Sequence, residues 1–184
     1  MPTSANLPRA LPDGTALRLL RADDSAALTR AYLRNRAHLA PWEPVRSEDY
    51  FTPAGQRSVV LGQLGQYGAG TGFPLVLSDG AEILARINLS GIARGPFQSA
   101  SLGYWVDGEY TGRGIAQAML QHVVELARDR LQLHRLEAGT LLHNAASQAV
   151  LARAGFERIG VAPRYLKIAG DWQDHVLFQR ILHD

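Results

Sequence analysis

Two glycines flank an arginine at Gly112-Arg113-Gly114, between an apolar run ending at Val106 and an amphipathic run beginning at Ile115. Glycines let the main chain come close to a ligand, and the first N–H groups of a helix have no partners inside it. Together these features hold phosphate oxygens, with the helix dipole favouring the negative charge. Arg113 could add a charge-assisted bond. The backbone of Thr111, Gly112, Arg113, Gly114, Ile115 and Ala116 is therefore a candidate phosphate cradle. The same spacing also makes an ordinary strand-to-helix turn, and two glycines do not separate the readings. A Rossmann fingerprint matches only in part. Its third glycine would fall at Gln117, while Glu137 stands at a tolerable distance for a ribose-binding acid. A P-loop is excluded, because no Gly-Lys-Ser/Thr follows.

Other residues carry weaker signals. Asn144 and Ser147 stand three apart at the start of a helical pattern, so they share a face. Asn is also a favoured N-cap, which explains the pair without any ligand. Glu43, in the loop Pro41-Trp42-Glu43-Pro44, is either a solvated acid or an amine-binding one. The six histidines form no His-x-x-x-His pair and have no companion cysteine, so no catalytic metal is expected. With no cysteine at all, disulfides, zinc ribbons, iron–sulfur clusters and a thiol nucleophile are ruled out.

The elements that must position these residues follow from periodicity. Residues 15–21 read as a first strand, and Asp23 or Asp24 caps a helix over 25–36. Pro41 and Pro44 force a loop, and 53–68 is a glycine-weakened helix. Strands are expected at 73–77, 82–89 and 100–106, with Ser78-Asp79-Gly80 turning the first pair into an antiparallel hairpin. The clearest helix runs over 114–131, with Ile115, Met119, Leu120, Val123, Val124, Ala127 and Leu131 as one apolar stripe. A strand at 134–141, a helix at 144–154 stopped by Gly155, and strands at 156–160 and 176–182 complete the chain. The order predicts an α/β (α+β) fold: a mixed, mainly antiparallel central sheet flanked by helices, with one crossover unit over 100–141.

A length of 184 residues predicts one domain over 13–184, preceded by a disordered lead-in over 1–12. The lead-in lacks the charged start and apolar run of a signal peptide, and no stretch is long and apolar enough to span a membrane. A cytoplasmic protein with no membrane partner is the expectation. Eighteen of 19 basic residues are arginine, yet the net charge is only +2. That is too little to predict direct nucleic-acid binding.

The strand, the Gly112-Arg113-Gly114 loop and the following helix resemble the coenzyme-A pyrophosphate loop of the GCN5-related N-acetyltransferases (GNAT). Scattered matches resemble the RimJ/RimL branch of that superfamily, and within it the RimJ type. They include Asn35-Arg36, Pro41-Trp42-Glu43-Pro44-Val45-Arg46, Asn88-Leu89-Ser90, Arg94-Gly95, Phe97, Leu102-Gly103-Tyr104, Leu133-His134-Arg135, His143-Asn144, Ser147, Gly155-Phe156-Glu157 and Trp172. Two departures stand out. Glu109 replaces the favoured Gln or Arg three residues before the loop, and Arg164 stands where the RimL type has a glutamate, so no role of that acid carries over.

The resemblance implies a GNAT fold and transfer of acetyl from acetyl-CoA to the N-terminal alanine of a ribosomal or other protein, by a monomer or homodimer. It implies that the strand end at Trp105 and Val106 pairs with the pantetheine arm and polarises the thioester. It makes Ser147 the candidate acid for the thiolate and Asn144 the residue orienting the arm. Trp42, Asn88, Arg94, Phe97 and Tyr104 become candidate acceptor contacts. Glu43 is the first candidate for binding or deprotonating the amine, with Tyr104 and Glu109 as alternatives. An α-amine, with an ordinary pKa of about 7.7–8.0, needs little help to lose its proton. Without a cysteine to carry the acetyl group, direct transfer in a ternary complex is the simplest path. Acetylation of a small amine, or acyl-CoA sensing without turnover, remain as alternatives.

Overall fold

The computed structural model describes residues 7–11 and 14–183. One sheet of eight strands organises them, in the order β1 (Arg9–Ala10), β2 (Ala16–Leu19), β3 (Gly72–Ser78), β4 (Ile83–Ala93), β5 (Ser99–Val106), β6 (Arg135–Leu141), β8 (Asp171–Ile181), β7 (Glu157–Ile168). Every neighbouring pair is antiparallel except β5 and β6. That pair is parallel because α4 (Ile115–Asp129) crosses between them.

The helices cover both faces. The stripe on α4 buries Ile115, Met119, Leu120, Val123, Val124 and Ala127 against Leu75, Ile87, Leu102 and Leu136 of the sheet. On the other face α1 (Ser25–Arg34) and α3 (Pro53–Gly68) bury Leu28, Tyr32 and Val60 against Val76 and Ile83. A short α2 (Arg36–Leu39) follows α1, and α5 (Ala145–Arg153) follows β6.

Three expectations need correction. The lead-in expected to be disordered is in part ordered: Arg9 and Ala10 pair with Leu17 and Ala16. Backbone hydrogen bonding to the β2 edge supplies what the local composition does not; the remainder of 1–12 lies outside the described residues. Asp24 does not cap α1 with its side chain. Its carboxylate instead takes two bonds from Arg18, at 2.8 and 2.7 Å, and one from the Arg21 N–H. Finally, β7 and β8 are far longer than 156–160 and 176–182. Gly160 and Pro163 lie inside β7, which is an edge strand, where a missing N–H is tolerated, and the register shifts around both residues.

Candidate active site

β5 and β6 pair only over residues 99–101 and 135–137. Beyond that point β5 continues to Val106 hydrogen-bonded to β4 alone, and the sheet opens. Residues of an antiparallel strand turn their N–H groups alternately to either side. The Asp107 N–H donates to the Leu84 carbonyl at 2.8 Å, so Val106 and Tyr104 turn theirs toward the opening. This favours Val106 over Trp105 as the backbone donor.

A cavity of about 470 Å3 fills the opening. Thr111, Gly112, Gly114, Ile115 and Ala116 line it from the loop and start of α4, Asn144 and Ser147 from the start of α5, and Tyr104, Trp105 and Val106 from β5, with Trp42 beside them. Gly112 and Gly114 have φ of 75° and 77°, the left-handed region that side chains resist. A Cβ at either would meet nothing within 4 Å, so the space over the loop is open. No side chain caps the N-terminus of α4. Open main chain at an uncapped helix start is what a pyrophosphate requires, and the long cavity beyond it suits a pantetheine arm. Arg113 departs from expectation. Its guanidinium donates to the Glu109 carbonyl at 2.9 Å and lies 4.8 Å from the Tyr110 ring centre, outside the cavity lining.

At the far end Ser147 Oγ is 2.8 Å from the Tyr104 hydroxyl. Burial pushes the Tyr104 hydroxyl above its usual pKa, while the bond to Ser147 pulls the other way, leaving it protonated at neutral pH. Asn144 is both a cap and a lining residue. Its Oδ1 accepts the Ser147 N–H at 3.1 Å, and its side chain borders the cavity. Tyr104, expected as an acceptor contact, belongs with Ser147 on the α4 side.

The loop is anchored by a residue that spacing alone did not single out. Asp107 is fully buried at the end of β5. It accepts from Arg34 Nε at 2.7 Å, Asn35 Nδ2 at 2.8 Å and the Glu109 N–H at 3.0 Å. Burial pushes its carboxyl up, but the Asn35 and Arg34 donors outweigh it and hold the group below the usual carboxylate range. Asn35 Oδ1 in turn accepts the Gly108 N–H at 2.8 Å. The end of α1 thereby sets where the glycine loop begins.

The other expected residues separate. Glu43 is outside this cavity; it lines a smaller one of about 170 Å3 with Tyr32, Arg36, Leu39 and Arg46. Leu39 borders both cavities, so they adjoin. Burial pushes the Glu43 carboxyl above the usual range, against the pull of Arg46 and Arg86. Its backbone carbonyl accepts the Ala169 N–H at 3.0 Å, which fastens the Pro41–Pro44 loop to the β7–β8 turn. Trp42 packs beside His143, ring centres 5.5 Å apart. Asn88 of β4 lies on the opposite face of the sheet from Tyr104, in a third cavity. Arg94 and Phe97 do not join any of these sites. Both lie in the β4–β5 turn, and seven residues of β5 at roughly 3.3 Å each separate that turn from Val106. Arg94 donates instead to the Leu131 carbonyl after α4, and Phe97 is 52% exposed.

Sequence reasoning missed Tyr32 and Arg86. Tyr32 Oη accepts from Trp105 Nε1 at 3.1 Å and from Arg86 at 3.2 Å, joining α1, β4 and β5 on the face away from α4. Tyr32 falls on the core stripe of α1, and Arg86 is a charged residue inside a strand that is otherwise uncharged; that charge is the one signal available.

The model of the acetyltransferase (GNAT) domain family matches residues 15–157. Among curated proteins, the [ribosomal protein uS5]-alanine N-acetyltransferase of Escherichia coli is 35% identical over 177 residues, 94% of this chain and 91% of that protein. The solved ribosomal-protein-S5-alanine acetyltransferase of Vibrio fischeri superposes with a TM-score of 0.89 at 35% identity, covering 93% of this chain and 94% of that one. RimJ of Mycobacterium smegmatis, solved in complex with CoA-disulfide, superposes with a TM-score of 0.88 at 33% identity, covering 95% and 88%.

Proposed function

The chain belongs to the GNAT acetyltransferase family, and we propose that it moves acetyl from acetyl-CoA to the N-terminal alanine amine of a ribosomal protein, by direct transfer in a ternary complex. The observation that carries the acceptor is the 35% identity to a uS5-alanine enzyme over nearly the whole of both chains. The uncapped glycine loop and the cleft between β5 and β6 support the donor.

Acetyl-CoA supplies a thioester whose carbonyl carbon accepts an amine. The N-terminus of α4, with the main chain of Thr111–Ala116, holds the pyrophosphate by N–H donors and dipole. The Val106 N–H faces the thioester oxygen as negative charge develops there; one such donor is typically worth about 2.7–4 kcal/mol in the transition state. As the new C–N bond forms and the C–S bond breaks, the sulfur takes a proton from Ser147 Oγ, the Tyr104 hydroxyl resupplies Ser147 across their 2.8 Å bond, and solvent entering the cavity as the product thiol leaves returns a proton to Tyr104. On the acceptor side Glu43 holds the amine and takes its proton, directly or through water. A ribosomal acceptor puts the reaction in the cytoplasm, and one chain carries every residue named.

Purified protein, acetyl-CoA and peptides beginning with alanine test this, with free thiol release followed. Turnover that vanishes when the peptide amine is blocked supports it. Turnover confined to small amines, or acetyl-CoA binding with no turnover, overturns it.

A further inference from the structure

Two arginines line the cavity that holds Glu43, and they differ in one respect. Arg36 is fully engaged. Its Nη1 donates to Glu48 at 3.0 Å, its Nη2 to the other oxygen of that carboxylate, and its guanidinium lies over the Phe51 ring. Arg46 lies over the Tyr50 ring, 4.6 Å from the centre, and among the described residues no oxygen accepts a hydrogen bond from it. The ring contact holds the guanidinium in place without using its five N–H donors in hydrogen bonds. The carboxylate it pairs with is Glu43, Nε to Oε2 at 3.9 Å. That distance is an ion pair but lies beyond hydrogen-bond reach.

Glu43 is the complement. Its carboxylate accepts no hydrogen bond among the described residues. Burial holds the carboxyl above the usual range even with Arg46 beside it, as expected of a carboxylate short of donors. The spacing of the two is set by the main chain: Pro44 between them fixes its own φ, and the Ala169 N–H fastens the Glu43 carbonyl. The wall therefore presents one unfilled acceptor and one unfilled donor 3.9 Å apart. A ligand that fills both carries a donor and an acceptor at a similar spacing. A simple alkyl amine has only the donor. An N-terminal residue has both, since standard bond lengths place its amine nitrogen and its own carbonyl oxygen roughly 2.7–3.6 Å apart.

We propose that Arg46 binds the carbonyl oxygen of the acceptor's first residue while Glu43 holds its amine, so that this cavity recognises an amine beside a carbonyl and not an amine alone. The inference rests on the reading of Glu43 as the residue that meets the amine. It makes Arg46 the residue that separates a protein N-terminus from an alkyl amine.

Arg46→Met removes the donors and keeps an apolar stem beside Tyr50, while Arg46→Lys keeps the charge and loses the planar fork. Both are assayed on a peptide beginning with alanine, with alaninamide, isopropylamine and free alanine as competitors, and with acetyl-CoA affinity measured by calorimetry. Isopropylamine is alaninamide with the carbonyl arm replaced by a methyl group. Wild-type protein is expected to bind alaninamide at least about tenfold more tightly than isopropylamine, the worth of one hydrogen bond to a charged group. In Arg46→Met the peptide KM should rise about 30-fold with a smaller change in kcat, because the bond is made in the ground state as well as the transition state. Inhibition by isopropylamine and the acetyl-CoA Kd should stay at wild-type level, and Arg46→Lys should fall between the two proteins. Equal inhibition by alaninamide and isopropylamine in the wild type, or none by either, overturns the inference. So does an Arg46→Met variant that weakens both amines alike; turnover of the peptide would still support the protein acceptor. Free alanine used better than any peptide overturns the protein acceptor and leaves Arg46 in its role, since a carboxylate fills the same fork. Isopropylamine binding unchanged in Glu43→Gln overturns the reading of Glu43 and this inference with it.

Discussion

The proposed donor half and acceptor half of this site are built by different means. The donor half is largely main chain: a glycine loop, an uncapped helix start and a strand edge left without a neighbour. Most of its residues fall in the run 104–117 and in α5, with His38, Leu39 and Trp42 added from α2 and the loop after it. The proposed acceptor half is side chains from α1, α2 and the loop at 41–46, held by contacts such as Trp105 to Tyr32 and Glu43 to Ala169. A main-chain site tolerates changes of side chain but not of backbone. A side-chain site shifts its preference with single substitutions, which suits the half that must recognise the acceptor.

The largest effect expected is on the main-chain half. Gly114→Val forces a branched residue to φ near 77° and crowds the phosphate, so the acetyl-CoA Kd should rise by at least about 100-fold in calorimetry. An unchanged Kd in the folded variant would remove the pyrophosphate assignment. Ser147→Ala comes next: kcat should fall about 100-fold with acetyl-CoA affinity nearly retained, because the Asn144 cap uses the Ser147 main chain and survives. Tyr104→Phe should be milder, about tenfold in kcat, since Ser147 keeps its proton and loses only its partner. If the tyrosine variant is the more damaged of the two, the order of the relay is reversed.

The smallest effect tests the acceptor half. Glu43→Gln should lower peptide kcat/KM at neutral pH by no more than about tenfold, because an α-amine with a pKa near 7.7–8.0 is already partly neutral. Its signature is the pH profile. Wild-type log kcat/KM should fall with slope 1 below the amine pKa and steepen to slope 2 below that of Glu43, whose carboxyl lies above the usual range. The variant should lose the second break. Stability should move oppositely. A raised carboxyl contributes stability that is complete below its unfolded pKa and is lost as pH rises through the folded one. At pH 7 the ionised, buried group therefore costs stability, and Glu43→Gln should raise Tm, with the gap closing below about pH 4.3. A variant less stable at pH 7 and identical in pH profile would leave Glu43 a loop residue only.

Legibility in the sequence followed the same division. The α4 stripe, the glycine loop and the Asn144–Ser147 pair are local patterns, and each stands where periodicity and spacing put it. Arg94 and Phe97 were misplaced because nothing local says that seven residues of β5 separate them from the reaction end. Tyr32 and Arg86 were missed because each is unremarkable in its own element and gains meaning only from the other.

What the sequence by itself determined is the glycine loop and helix start proposed to hold the donor, since phosphate binding needs only glycine-permitted dihedrals and a helix start, both encoded within a few neighbouring residues. The tertiary structure alone decided which side chains surround the proposed acceptor side. Which side chains meet across β4, β5 and α1 depends on strand register and helix packing between segments as far apart as Tyr32 and Trp105.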